Sequence, residues 1–442
     1  MYVYIRLILA PIIDPFINGD VWPLVLRFMP YVIFLELPYT ILVILGVVKY
    51  AINRAAEGER RPFYPPVSCI ITCYSEGFGV QETIRSIAEQ IYPGRIQMLA
   101  MVDGATRNAL TLSAATQMVE TVNRMHGREL MIVPKWKRGG RVSNLNTGLN
   151  YATGDIIFAL DGDTSFDNNM IERATRHFED PTVSAVSGCL RVKNAEESVV
   201  TSLQAIEYFI SIQASKTGLS SFNMVNNVSG AFGIFRRSIL ELVGGWDAGT
   251  AEDLDLTIRI KNYFGRYGDK FKIIFDPEAI GHTDVPETLG GFLRQRIRWD
   301  GDLSYIYIRK HWHSFSPKIL GWPNFIMVIV TGLFAQLVLP VIIFIYTLWL
   351  FFAYPLHYTL GLMLLVYLFY LVLTAAEYCI FAACLSERPE EDLSRICYLP
   401  LFPIFNFIAR LNGLVATIWE LVHEGHKDSS MAPWWVMKKN KF

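Results

Sequence analysis

The chain has no surplus of positive charge: 40 Lys and Arg stand against 41 Asp and Glu, for a formal net charge of -1. Binding along a phosphate backbone needs such a surplus, so no nucleic-acid partner is expected. Cysteine is sparse too, with six at positions 69, 73, 189, 379, 384 and 397. They lack the paired spacing of a zinc site and read as reduced core residues of a protein facing the cytoplasm. No internal repeat or low-complexity tract is present, which excludes a solenoid or a linker-rich scaffold. The opening stretch MYVYIRLILAPIID has neither the basic region nor the small-residue cleavage site of a secretory leader, so its apolar residues are expected to be retained.

What is abundant is apolar side chain, at 52% of residues, more than a soluble enzyme usually carries. The excess sits at the two ends. Residues 21–50 contain, after Arg27, an apolar run long enough to cross a hydrocarbon core of about 30 Å at roughly 20 residues per crossing. Lys49, Arg54, Arg60 and Arg61 follow it, which places the middle of the chain in the cytoplasm. Residues 2–17 are shorter and broken by Pro11, Asp14 and Pro15, and are expected to lie in the interface. Beyond His313 come apolar stretches at about 322–353, 358–385 and 398–421, the second and third separated by the connector SERPEEDLSR. Pro400, Pro403, Asn406, Arg410 and Asn412 interrupt the third, which is expected to lie partly in the interface or to line a pore. Ahead of these, LSYIYIRKHWHSF has the aromatics and cations of a helix in the headgroup region. The division is thus a membrane segment over 1–60, a cytoplasmic domain over 61–302, and an interfacial helix with transmembrane helices over 303–442.

In the middle domain short β-branched runs alternate with amphipathic helices, the pattern of an α/β fold with a mostly parallel sheet. VSCIITCY, RIQMLAMVD and DIIFALDGD read as strands, and in such sheets ligands bind beyond the carboxyl ends. Asp161-Gly162-Asp163 closes one strand and offers hard oxygen ligands for Mg²⁺ or Mn²⁺ shared with a diphosphate. Asp103 ends another, where it could accept hydrogen bonds from a base or ribose. Alone, each would as readily be a turn residue. Lys137-Arg138-Gly139-Gly140-Arg141 places cations and free N–H groups near that diphosphate. Asp253, after Glu252, opens an amphipathic helix; it is either a cap or a general base. Gln295, Arg298 and Trp299 bring together a cation for a departing diphosphate and an indole face for a sugar ring.

Taken in order, Tyr74-Ser75-Glu76, Asp103-Gly104, Asp161-Gly162-Asp163, Glu252-Asp253 and Gln295-Arg296-Ile297-Arg298-Trp299 resemble the processive family 2 membrane glycosyltransferases, the hyaluronan, chitin, cellulose and poly-N-acetylglucosamine synthases. The resemblance spans about residues 65–302 and implies a GT-A type nucleotide-sugar-binding domain flanked by membrane helices. It implies that Tyr74, Glu76, Asp103, Lys137, Arg138, Asp161, Gln295 and Arg298 bind the UDP-sugar donor, and that Asp161 and Asp163 hold Mg²⁺ or Mn²⁺. Ser229, Gly230 and Trp299 would bind the acceptor, and Asp253 with Glu252 would carry catalysis. The implied reaction is an inverting transfer of N-acetylglucosamine or glucose to a growing β-linked polysaccharide, passed across a bacterial inner membrane. Membrane lipid is a further partner, and an accessory membrane subunit is left open. The alternative is transfer of a single sugar to a lipid such as ceramide. Two departures from the family pattern, Val102 for an Asp and Ala251 for a Thr, remove no charge the mechanism needs.

Overall fold

The computed structural model describes residues 31–58, 62–247, 251–268 and 270–423. The segment expected in the interface over residues 2–17, Arg60 and Arg61 lie outside the described residues. Eight strands form one sheet in the order β3-β2-β1-β4-β7-β6-β8-β5. They are β1 (Val67–Cys73), β2 (Ile96–Asp103), β3 (Arg128–Lys135), β4 (Ile156–Asp161), β5 (Ser165–Phe166), β6 (Val183–Val192), β7 (Phe232–Arg236) and β8 (Lys272–Thr283). The first four run parallel, β7 is antiparallel to β4 and β6, β8 returns parallel to β6, and β5 closes the edge antiparallel.

Because side chains alternate across a strand, β1 feeds two cores. Cys69, Ile71 and Cys73 face the cluster that holds Val80, Ile84 and Ile87 of the Val80–Ala88 helix. Ile70 faces the opposite cluster, with Leu145, Leu256 and Ile260. A sheet covered on both faces explains why its strands read as unbroken apolar runs. It also leaves the carboxyl ends of β1, β2 and β4 as the place where polar residues can gather.

Among the described residues four helical stretches are long and apolar enough to cross a membrane: Val32–Ala55, Pro317–Ala353, Leu356–Leu385 and Pro389–Val422. They match the four expected runs. The last is less interrupted than its prolines suggest, since Phe402–His423 is one helix and Pro403 falls in its first turn, where no N–H partner is lost. Within the segment expected in the headgroup region, Lys310 and His311 turn toward the sheet domain, where they meet Asp255 at 2.8 and 2.7 Å. The cysteine expectation holds only in part: Cys69, Cys73 and Cys189 are buried, but Cys379 and Cys397 are exposed on apolar helices.

Candidate active site

Every strand end at the crevice is tied to its neighbour. Gly162 N–H donates to the Thr72 carbonyl at 3.0 Å, and a Cβ at Gly162 would stand 3.0 Å from that oxygen and 3.3 Å from Cys73 Sγ. Only glycine lets the turn lie this flat on β1, which sets Asp161 and Asp163 on either side of it. Thr72 Oγ1 donates to Asp161 Oδ1 at 3.1 Å, while Asp163 is exposed. Beside them Glu76 Oε1 accepts from Tyr74 N at 2.6 Å, and Glu76 Oε2 is buried with no hydrogen-bond partner among the described residues. Burial, reinforced by the nearby Asp163 charge, pushes the Glu76 carboxyl up to about 7.

The basic loop hangs on Asp103. That side chain is 2% exposed, and its two oxygens accept from Gly139 N at 2.8 Å and Gly140 N at 3.0 Å. Gly140 has φ +76°, a left-handed conformation that suits glycine. The bend leaves Lys137 and Arg138 exposed at the rim, with Arg138 stacked 4.3 Å above the Tyr74 ring.

Arg141, the second residue of the following helix (Gly140–Tyr151), joins the two halves of the crevice. Its Nε donates to Glu252 Oε1 at 2.6 Å, its Nη1 to Thr72 Oγ1 at 2.9 Å, and the same guanidinium reaches Asp161 and the Gly230 carbonyl. Sequence reading counted Arg141 only as one more cation of the loop; its partners lie up to 111 residues away, beyond any local pattern. Glu252 is 5% exposed, and burial holds its carboxyl above the usual range despite Arg141, with Asp253 alongside adding to the rise.

Asp253 opens the Glu252–Tyr267 helix behind Ala251, whose φ of +53° turns the chain sharply into it. The Asp253 carboxylate accepts from Leu254 N at 2.7 Å, Gly230 N at 3.0 Å and Asn227 Nδ2 at 3.1 Å. Such a group offers about four lone-pair positions, so three fixed donors orient it and leave room for one more proton donor. Asp255, two residues on, does different work. Burial alone would raise it, but hydrogen bonds from His311 and Lys310, with Arg259 beside, hold it well below the usual carboxylate range. Ser229 completes the loop, its N–H on Ser187 Oγ at 3.1 Å.

The Leu289–Ser304 helix carries the last motif. Here the cation over the indole is Arg296, whose guanidinium lies 4.5 Å from the Trp299 ring and also bonds Glu207 at 2.7 Å. Residues three apart share a helix face, which brings Arg296 and Trp299 together. Gln295 Oε1 is buried without a partner among the described residues, and Trp299 packs on the core that includes Tyr208 and Phe232. Burial lifts the Asp300 carboxyl to about 6; its Oδ2 would be 3.5 Å from a Cβ at Gly413 of the last apolar helix.

Residues 65–301 match the glycosyltransferase-like family 2. Poly-β-1,6-N-acetyl-D-glucosamine synthase of Staphylococcus epidermidis is 28% identical over 259 residues, which cover 58% of this chain and 58% of that protein. The enzyme of the same name from Staphylococcus aureus strain COL is 26% identical over 253 residues, or 57% and 58%. The chain therefore spans little more than half the length of these curated relatives. A solved mannosyltransferase from Pyrobaculum calidifontis, in complex with GDP-Man and Mn²⁺, superposes with a TM-score of 0.52 over 87% of this chain and 99% of its own, at 20% identity, a likeness of fold alone. With the sheet, the crevice and more than half of its residues in the matched domain, the chain belongs to glycosyltransferase-like family 2, on a GT-A fold.

Proposed function

We propose that this chain is a membrane glycosyltransferase that adds N-acetylglucosamine from its UDP-sugar to a growing β-linked polysaccharide. The reading places a catalytic domain at 61–302, on the cytoplasmic face of a bacterial inner membrane, between membrane segments at 1–60 and 303–442. The observation that carries it is the Arg141 bridge, which holds Asp161 at the donor side and Glu252 and Gly230 at the acceptor side within one side chain's reach. The poly-N-acetylglucosamine synthases among its relatives support the choice of sugar.

In this reading Tyr74, Lys137 and Arg138 flank the nucleotide, and Asp103 keeps the loop against it. Asp253 takes the proton of an acceptor hydroxyl as that oxygen attacks the anomeric carbon, and Arg298 with Gln295 meets the departing diphosphate. Direct displacement inverts an α-linked donor to a β-linked product. Among the described residues no three His, Cys, Asp or Glu gather closely enough to hold an ion by themselves. Asp163, exposed on the same turn as Asp161 and next to the unpartnered Glu76 Oε2, suits a Mg²⁺ or Mn²⁺ that shares its oxygens with the donor. Such an ion would neutralise diphosphate charge as it develops.

The test is incubation of detergent-purified protein with labelled UDP-N-acetylglucosamine and Mn²⁺ or Mg²⁺, with products separated by size. High-mass, β-hexosaminidase-sensitive label is the expected result. Label confined to organic-soluble lipid would replace the polymer with a single-sugar lipid acceptor.

A further inference from the structure

A cavity of about 470 Å³ is lined by none of the residues given a part in the chemistry above. One wall is the carboxyl end of β6 with the turn after it, and the other is the connector that joins the Leu356–Leu385 and Phe402–His423 helices. Arg191 of β6 lines it and is 9% exposed. Its Nη2 donates to Asp392 of the connector, while its Nη1 is buried with no hydrogen-bond partner among the described residues. Two more guanidiniums line the same cavity. Arg388 Nη2 donates to Asp167 at 3.2 Å, and Arg395 Nη1 donates to Asp392 at 3.3 Å.

The carboxylates nearby are largely committed. Asp392 also accepts from Ser386 Oγ at 2.6 Å, and Asp167 is shared with His282 at 2.8 Å. Glu391 stands 3.9 and 4.0 Å from Arg388 and Arg395, too far for a hydrogen bond, and Glu196 and Glu197 are exposed. Three guanidinium forks thus line one polar cavity with more donors than acceptors around them. A buried N–H without an acceptor is costly, and a guanidinium fork matches the oxygens of a phosphate. The connector adds a second constraint. It joins two stretches long and apolar enough to cross a membrane, so it lies at a bilayer surface, and its Leu393 and Ile396 are exposed. A phospholipid can set its phosphate among the guanidiniums and its acyl chains along those two side chains, which a soluble phosphate would leave in water.

We propose that Arg191, Arg388 and Arg395 bind the phosphate of an anionic phospholipid headgroup in this cavity. The site is independent of which sugar the crevice transfers. Its test is native mass spectrometry of the full chain in detergent, titrated with phosphatidylglycerol, phosphatidylcholine or inorganic phosphate. The parent protein is expected to hold phosphatidylglycerol at least about tenfold more tightly than phosphatidylcholine. Arg191→Gln takes a partner from the buried Asp392 and can fail to fold, so Arg388→Gln, at a side chain 36% exposed, is measured beside it. With UDP binding within about twofold as the check on folding, Arg388→Gln should weaken phosphatidylglycerol binding about tenfold. Arg95→Gln, which removes the partner of Glu129 near the β3 edge of the sheet, should leave lipid binding unchanged. Equal lipid affinity in the parent and Arg388→Gln overturns the site. Inorganic phosphate that binds as tightly as phosphatidylglycerol and displaces it overturns the lipid as occupant and assigns the cavity to a soluble phosphate.

Discussion

Arg141 shows how one side chain can organise a crevice. Its guanidinium has five N–H donors, and the fork geometry lets it meet Glu252, Thr72, Asp161 and the Gly230 carbonyl at once. Lysine cannot reproduce that. Arg141→Lys is expected to lower kcat/KM at least about 100-fold and to weaken UDP binding; activity within about threefold of the parent would remove Arg141 from the site. A second residue-scale prediction concerns Lys261, 3% exposed, with Asn324 Oδ1 at 2.8 Å as its partner among the described residues. Burial pushes its amine down to about 7 from the usual 10.5. The unfolded chain then binds more protons between those values, so stability should rise with pH across that window, by up to about 1.4 kcal/mol per pH unit. Melting in detergent from pH 7 to 9 should show the rise, and Lys261→Met should flatten it; an identical slope in the variant would contradict it. Residues such as Asp103, Asp161 and Asp253 were legible because strand ends and helix starts mark them. Arg141 and Lys261 were not, because their partners are set by tertiary contacts between distant segments.

At the scale of elements, alternation and length told most of the story. β1 and β2 begin and end within a residue of the apolar runs that announced them, and β4 stops two residues before the end of its run, since both sheet faces are covered and the strands are largely apolar. What periodicity missed is direction: the cations of the Tyr305–Lys310 segment suit a lipid headgroup as well as a carboxylate, and the partners Lys310 finds, Asp247 and Asp255, come from a distant segment. Close helix packing was equally hidden. Gly46 of the first apolar helix lies against Gly218, and a Cβ there would come within 2.2 Å of the Gly218 carbonyl oxygen. Ser221 Oγ adds a hydrogen bond to the Gly46 carbonyl at 2.8 Å. Gly46→Leu should cost on the order of 1–3 kcal/mol or more and lower the melting temperature in detergent. Gly58→Leu, with nothing within 4 Å, should be neutral. Equal melting temperatures for the two variants would mean the helices do not pack there.

Across the whole molecule the catalytic domain and the apolar helices are fastened at several levels. Lys49 Nζ donates to the Ser221 carbonyl at 3.0 Å and Arg54 joins Glu278, while Arg54 with Glu387 and Thr40 Oγ1 with Glu377 at 2.9 Å tie the apolar segments to one another. Under the proposed function, these contacts hold Asp253 in a fixed position relative to the apolar helices. The most direct measurement is UDP binding and N-acetylglucosamine transfer in Asp253→Asn beside the parent protein. UDP affinity within about twofold and transfer lowered at least about 100-fold is the predicted result. Transfer within about tenfold of the parent, with binding intact, would contradict Asp253 as the base and the crevice as the place of transfer.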